Sequence, residues 1–213
     1  MQEGERRRYD SGRRQANAAE QRRRILETAR RRFLADGYAA TTVAAIAGEA
    51  GVSVETVYKN FLRKPGLLKA VFDRSVAGDD EPVPMAERDF AQRMRADPDP
   101  RSKLEVFAGH MAESMPRAAP IYLLARAAAA SEPDIAALLA SWRTDQLHGL
   151  TGLARHLDEG GHLRRGLTVE RARDLLWTIN STEVYELLVI ERNWSADEYR
   201  DYLARAMIGG LLG

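Results

Sequence analysis

The chain has 213 residues, which is enough for one or two domains with a sizeable hydrophobic core. It contains no cysteine, which excludes disulfide bridges and thiolate chemistry and suits a cytoplasmic protein without requiring one. No segment approaches the roughly 20 apolar residues of a membrane span, and no apolar stretch follows the charged N-terminus as a secretory signal requires. We therefore expect a cytoplasmic protein with no membrane partner.

The charged residues are unevenly distributed, although the formal net charge is only +1. Residues 1–78 hold 16 Lys and Arg against 9 Asp and Glu, whereas the remainder holds 16 against 22. Charge spread merely to keep a surface soluble would not be divided in this way. A basic N-terminal part attached to an acidic remainder indicates a nucleic-acid-binding domain at the N-terminus.

Residues 1–18 are rich in arginine and lack an apolar face, so we predict a disordered arm. Two interpretations of this arm stay open. It follows the DNA phosphates or enters a minor groove, as the arms of other helix-turn-helix proteins do, or it is a solvated tail.

The next feature is a pair of short helices predicted at Val43–Ala50 and Val54–Phe61. Thr42 and Ser53 stand at their N-cap positions, where a hydroxyl accepts a hydrogen bond from an early backbone N–H. Gly51 supplies the positive φ that ends the first helix and reverses the chain. This arrangement predicts a helix-turn-helix, whose second helix enters the DNA major groove.

The surroundings of the motif favour a DNA-binding head over an ordinary helical corner. Upstream, residues 19–36 show apolar residues at helical spacing before a stop at Gly37. Downstream, proline and glycine open a further helix over Pro65–Ala77. We predict a head over residues 19–78, with the motif at about 43–62.

Candidate phosphate contacts come from the hydroxyl of Tyr58 and from two helix N-termini, at Thr42 and Lys64. For Thr42, capping alone is an equally good explanation. Base reading is expected from the start of the recognition helix, where Lys59 suits guanine and Glu55 suits cytosine. A carboxylate at that position is also stabilised by the helix dipole without any DNA contact. The full set of candidate DNA-binding residues is Thr42, Ser53, Val54, Glu55, Thr56, Tyr58, Lys59, Asn60 and Lys64.

The same stretch resembles the N-terminal domain of the TetR family of bacterial repressors. The resemblance rests on Ile25-Leu26-x-x-Ala29, Phe33, Gly37-Tyr38, Thr41-Thr42-Val43-x-x-Ile46-Ala47, Gly51-Val52-Ser53, Tyr58, Phe61, Lys64 and Leu67-Leu68. It implies a DNA-binding regulator and supports the phosphate role of Tyr58. Two features depart from the pattern, Lys59-Asn60 after the tyrosine and Pro65-Gly66 after the lysine, and both bear on base preference.

Beyond Gly78 the chain again shows helical patterns, with no strand period and no internal repeat. We predict an all-α, antiparallel helical domain over 79–213 for ligand binding and dimerisation. Its helices are expected near 85–96, 101–115, 119–130, 133–158, 168–191 and 195–211.

The last two of these helices carry broad apolar stripes, which suit the two-fold four-helix bundle through which the resembled family dimerises. A two-fold pair of heads is also needed to read a palindrome with half-sites about one helical turn apart. Burial within one subunit is the alternative for some of these residues. The candidate interface residues are Leu176, Leu187, Leu188, Tyr199, Leu203, Ala206 and Gly210.

The remaining helices are predicted to enclose a mostly apolar ligand pocket. Polar residues beside apolar stripes are costly to bury unpaired, so each pairs within the protein, bridges the dimer or meets a ligand. Aromatic and methionine residues at helical spacing are also explained by plain core packing. The candidate lining residues are Phe107, His110, Met111, Tyr122, Arg126, Trp142, Gln146, Trp177, Asn180 and Glu183.

We therefore predict a homodimeric repressor that binds a palindromic operator and is released by a small, largely apolar ligand. The alternative within the same class is a DNA-binding regulator without a small-molecule inducer, either partner-controlled or architectural. An enzyme has little support, because the sequence holds no phosphate loop, no nucleophile elbow and no histidine pair at metal spacing. No cofactor and no metal site is expected.

Overall fold

A computed structural model of the chain describes the backbone of residues 2–213 and the side chains of residues 16–213. Across these residues the ordered elements are helices, and the one pairing of extended backbone is an isolated bridge between Leu163 and Leu212. The predicted all-α fold is confirmed. The chain divides into two compact units, one ending at Arg74 and the other spanning Ser75–Gly213.

The first unit begins with a long helix, α1 (Gln2–Ala40), which is interrupted at Gly37. Gly37 has φ 80° and ψ 167°, outside the helical region, and stands where the sequence predicts a stop. Residues 1–15 make up most of the predicted arm, and their side chains are not among those that the structure describes. Residues 16–18, which we expected to be disordered, belong to α1.

Three shorter helices follow: α2 (Val43–Ala50), α3 (Val54–Phe61) and α4 (Lys64–Ala77), the last of which runs three residues past the end of this unit. The bounds of α2 and α3 agree with those predicted, because their caps are local signals carried by single residues. Apolar side chains from all four helices form one buried core. The buried residues include Ile25, Leu26, Phe33, Ile46, Val57, Phe61, Leu67 and Leu68.

The second unit contains the six remaining α-helices. They are α5 (Asp89–Ala96), α6 (Pro100–Ala128), α7 (Pro133–Glu159), α8 (Val169–Ile179), α9 (Thr182–Tyr185) and α10 (Ala196–Leu211). A 3-10 turn, Met85–Glu87, precedes α5, and a π-helical segment, Glu186–Glu191, follows α9. The core forms mainly where α6, α7, α8 and α10 pack together.

Helix α6 is continuous where the sequence predicts a break between two helices. It runs through Pro116 and Pro120, each of which removes a backbone hydrogen bond and crowds the preceding turn. Pro116 is exposed, whereas Met115 and Ile121 beside these prolines are buried. We attribute the continuity of α6 to the burial of its inner face, which offsets the local cost of the prolines.

The predicted helix over 168–191 is instead divided into three elements. Helix α8 ends at Ile179, with Asn180 as its C-cap, and the Ser181 hydroxyl then accepts a hydrogen bond from the Val184 N–H at 3.2 Å, which starts α9. The chain continues as the π-helical segment, in which the hydrogen bonds span one extra residue. The break follows from the Ser181 cap, which lies within a long apolar stripe. The helical spacing of that stripe predicts one continuous helix and gives no sign of the cap.

A buried lysine joins three helices of the second unit. The Lys103 ammonium on α6 donates to the carbonyl oxygens of Met94 and Arg95 at 3.1 and 3.3 Å, near the end of α5. It also lies 2.8 Å from Nε2 of His156 on α7. Because an ammonium only donates, Nε2 of His156 accepts this hydrogen bond, and the imidazole ring is therefore neutral. Desolvation, and next the Lys103 charge, lower the pKa of His156.

Candidate nucleic-acid interface

The turn between α2 and α3 positions the recognition helix. Gly51 takes the left-handed conformation, with φ 66°, and its N–H donates to the Gly48 carbonyl at 3.3 Å. Across the turn, Ile46, Val57 and Phe61 are buried. One face of α3 is therefore held in the core of the unit, and the opposite face is turned to solvent.

Each of the two motif helices begins with a capping hydroxyl, as predicted. The Thr42 oxygen accepts from the Ala45 N–H at 3.1 Å, and the Ser53 oxygen accepts from the Thr56 N–H at 3.2 Å. A hydroxyl that accepts in this way still carries its own proton. The Thr42 side chain is exposed, so its proton can be donated to a phosphate oxygen as well.

The solvent-facing side of α3 carries Tyr58, Lys59 and Asn60, all exposed. Tyr58 as a whole is 46% exposed, which leaves it accessible to a duplex. The Asn60 amide instead donates to the Thr56 carbonyl at 2.8 Å and is turned back onto its own helix. Val54 and Thr56 are half-buried at the start of the helix. The structure thus presents a phenol and an ammonium on the exposed side of the predicted recognition helix.

Glu55 interacts with the N-terminus of its own helix. The pKa of its carboxyl is lowered, first by a hydrogen bond from its own backbone N–H and then by the Ser53 hydroxyl. These contacts are those of a carboxylate in a first helical turn and account for the residue without DNA. Glu55 remains exposed, so a base contact is also sterically accessible.

Lys64 has contacts that the sequence did not predict. Its ammonium lies 3.3 Å from the Ala39 carbonyl oxygen and 4.1 Å from the centre of the Tyr38 ring. A cation over an aromatic face is a favourable arrangement. Lys64 therefore joins the start of α4 to the end of α1 while its charge stays near the predicted interface.

Sequence reasoning missed Leu62, the residue that directly follows the recognition helix. Its backbone has φ 62° and ψ −56°, and the Arg63 N–H donates to the Phe61 carbonyl at 2.7 Å, which defines a γ-turn. A Cβ on Gly66 would lie only 2.2 Å from that same carbonyl oxygen. The Pro65-Gly66 pair was the available signal, since glycine permits this close approach.

Ion pairs reinforce the first unit behind this face. Glu49 on α2 pairs with Arg31 and Arg32 on α1, and these two hydrogen bonds lower the pKa of the Glu49 carboxyl. Glu27 on α1 pairs with Arg74 on α4 at 3.2 Å. These pairs hold α2 and α4 against α1, although exposed pairs of this kind contribute little individually.

The candidate ligand residues of the second unit are only partly brought together. The Tyr122 and Trp142 rings lie 6.3 Å apart, and Phe107 is buried in the same unit. Trp177 is 39% exposed, so the prediction that it lines an enclosed pocket finds no support in this chain alone. Met111 and Gln146 are half-buried.

The polar candidates have different surroundings. His110 stacks flat on Phe90 with 3.7 Å between ring centres, and burial lowers its pKa to about 4. Arg126 pairs with Glu183 at 3.3 Å, and Glu183 is exposed rather than buried beside an apolar stripe as predicted. Asn180 is 3% exposed, and its Oδ1 has no hydrogen-bond partner within the described part of the chain. Asn180 is thus the polar candidate whose burial the fold leaves unexplained.

Three of the candidate interface residues require a correction. Leu176, Tyr199 and Leu203 are fully buried within the single chain, so they have no surface to offer a second copy. They belong to the core because α8 and α10 pack against each other and their inner stripes meet. Of the others, Leu187 is 53% exposed. The remaining three, Leu188, Ala206 and Gly210, are half-buried.

In the part of the chain that the structure describes, no helix is both long and apolar enough to cross a membrane. Within the same residues, no group of three or more His, Asp or Glu side chains is arranged to hold a metal ion.

The fold is similar to that of several bacterial regulators of known structure. Native NalD, the secondary repressor of the MexAB-OprM multidrug efflux pump in Pseudomonas aeruginosa, is 18% identical and matches with TM-score 0.68 over 92% of this chain and 98% of its own. The fatty acid degradation regulator FadR from Bacillus halodurans is 21% identical, with TM-score 0.69 over 88% and 98%. FadR from Bacillus subtilis, in complex with stearoyl-CoA, is 18% identical, with TM-score 0.69 over 88% and 97%.

The first unit contains the stretch that matches a known protein family. A search of curated proteins found no match. Residues 25–71 match the model for bacterial regulatory proteins of the tetR family, and this range contains the whole capped helix-turn-helix. Members of this family are DNA-binding transcriptional regulators and not enzymes. The tetR-family match therefore covers the helix-turn-helix unit, and the similarity of the remainder of the chain to the solved structures is one of fold.

Proposed function

We propose that this regulator is a homodimeric repressor that binds a palindromic operator and is released by a small, largely apolar molecule. The observation that carries the proposal is the solvent-facing side of α3, where Tyr58 and Lys59 are exposed beside capped helix N-termini. Such N-termini favour phosphate, and the basic first unit attracts the duplex.

Dimerisation is supported by large apolar side chains left exposed on the second unit. Trp177, Leu187 and Ile190 are 39, 53 and 48% exposed. Exposed apolar groups of this size near one another in sequence indicate a surface that a partner covers. A second copy is the partner that a palindromic operator requires.

Ligand release is supported by Asn180, because a buried oxygen without a partner is costly unless another molecule supplies a donor. Among the similar structures, NalD is named a repressor and FadR from Bacillus subtilis is in complex with stearoyl-CoA. A ligand that favours a head spacing unsuited to the operator would shift the population away from DNA binding.

A second candidate is a regulator controlled by a protein partner instead of a small molecule. The observation that favours it is the Arg126–Glu183 pair, which gives one of the candidate ligand-binding carboxylates a partner within the chain. Both candidates keep the same DNA-binding head and differ only in what releases it.

The experiment has two steps, which separate these candidates. Duplexes that bind the full chain are first selected from a random pool, and small molecules are then screened for release of the selected duplex. A releasing compound should also quench the tryptophan fluorescence with the same concentration dependence, because Trp142 and Trp177 belong to the second unit. Selection of a palindrome with no releasing compound would favour the partner-controlled regulator, and selection of no sequence would contradict both.

A further inference from the structure

Leu62 is the most exposed large apolar side chain among the residues described, with 80% of its surface accessible. An exposed leucine is not unusual by itself, since much of any protein surface is apolar. Its position is unusual, because it directly follows the last residue of the recognition helix, Phe61.

The backbone at Leu62 adds a second cost at the same position. With φ 62° and ψ −56°, the residue lies in a region where a Cβ is crowded and where glycine is readily accommodated. The neighbours impose this conformation, because Phe61 is buried and its carbonyl both accepts from Arg63 and closely approaches Gly66. A strained backbone that carries a large exposed apolar group indicates a functional position.

The surroundings of Leu62 fit a DNA duplex. The Leu62 N–H donates to the Tyr58 carbonyl at 2.8 Å, so Leu62 lies one turn beyond the exposed tyrosine. The exposed cations Lys59 and Arg63 are its near neighbours along the chain. A duplex edge offers the matching pattern, in which apolar deoxyribose rings alternate with phosphates.

We propose that the Leu62 side chain packs against deoxyribose at the edge of the bound site and raises affinity without reading bases. This inference rests on the proposed DNA-binding face, and it adds a contact that is neither a hydrogen bond nor an ion pair. It explains why a leucine stands where glycine would relieve the strain.

The test compares two variants that remove the side chain but differ in backbone strain. Leu62→Ala keeps the Cβ and the strain, whereas Leu62→Gly removes both. Both should lose about tenfold in affinity, the effect expected for removing a few buried methyl and methylene groups. The loss should be equal on a selected operator and on random duplex, with an unchanged salt slope. Leu62→Met, which keeps an apolar side chain, should bind within about twofold of the parent chain.

Stability provides the internal control. The melting temperature of Leu62→Gly should equal or exceed that of Leu62→Ala, so weakened binding cannot be attributed to unfolding. Unchanged affinity in both truncations would overturn the inference. A changed base preference would make Leu62 a base reader, and a changed oligomeric state would assign Leu62 to a contact between copies. Either result would also overturn the inference. A parent chain that selects no sequence would overturn the proposed function, whereas the random-duplex comparison would still decide the role of Leu62.

Discussion

Tyr58 and Lys64 reach the predicted DNA surface under different constraints. Tyr58 is 46% exposed on α3, and we expect its hydroxyl to donate to a phosphate. Tyr58→Phe should lower affinity by about tenfold for all sequences alike, since a hydrogen bond to a charged group is lost. The salt slope and the melting temperature should not change. Fluorescence anisotropy on selected and random duplexes measures this, and a shift in base preference would contradict the assignment.

Lys64, in contrast, also contacts its own unit. Lys64→Ala should reduce the salt slope of DNA binding by about one unit, because one phosphate contact is lost. It should also lower the melting temperature, because the contacts with the Ala39 carbonyl and the Tyr38 ring disappear. Lys69→Ala is the matched control, since Lys69 lies on the same helix and pairs only at the surface, with Asp73. Equal effects of the two substitutions would contradict the account.

At the scale of elements, the contact between α5 and α6 includes a histidine held neutral by burial. The pKa of His110 is about 4, below the ordinary value of 6.5, so the unfolded chain takes up this proton first as the pH falls. The associated stability is therefore complete above about pH 6.5 and is lost as the pH falls toward 4. Screening at this half-buried site keeps the effect below about 3 kcal/mol.

His110→Phe should remove this pH dependence and keep an aromatic ring against Phe90. Urea unfolding at about pH 7 and about pH 5 should show a smaller loss of stability in the variant, by about 1 to 2 kcal/mol. The carboxylates that the parent chain and the variant share contribute equally to both free energies of unfolding. Their contribution therefore cancels when the two pH dependences are subtracted. Equal losses in both proteins would show that His110 is not held neutral in the folded state.

Elements whose ends are set by local caps can be predicted from the sequence, whereas features that depend on distant contacts cannot. The bounds of α2 and α3 were predictable because Thr42, Gly51 and Ser53 act on their own backbone neighbours. The continuity of α6 through Pro116 was not, because it depends on packing between helices distant in sequence. The contacts of Lys64 and Glu183 also escaped prediction, since each joins residues at least 25 positions apart. Leu62 was missed because its γ-turn contains no glycine of its own, and the nearby Pro65-Gly66 pair signals a close backbone approach without showing which residue takes the positive φ.

At the scale of the whole molecule, the proposed dimer relies on the exposed apolar residues of the π-helical segment. Leu187→Glu should produce monomers that lose operator binding, because a charge would be buried in the interface. Val83→Glu is the matched control, since Val83 is also an exposed apolar residue of the second unit and lies far from the segment in sequence. Sedimentation velocity measures the outcome, and an unchanged dimer for Leu187→Glu would place the interface elsewhere.

The central claim is that two capped heads read one palindrome together. The most direct measurement is the stoichiometry and salt dependence of the full chain on its selected duplex, by analytical ultracentrifugation and titration. The account predicts two chains per palindrome, a steep loss of affinity with salt, and at least about a thousandfold preference over random duplex. One chain per duplex, or equal affinity for selected and random DNA, would contradict it.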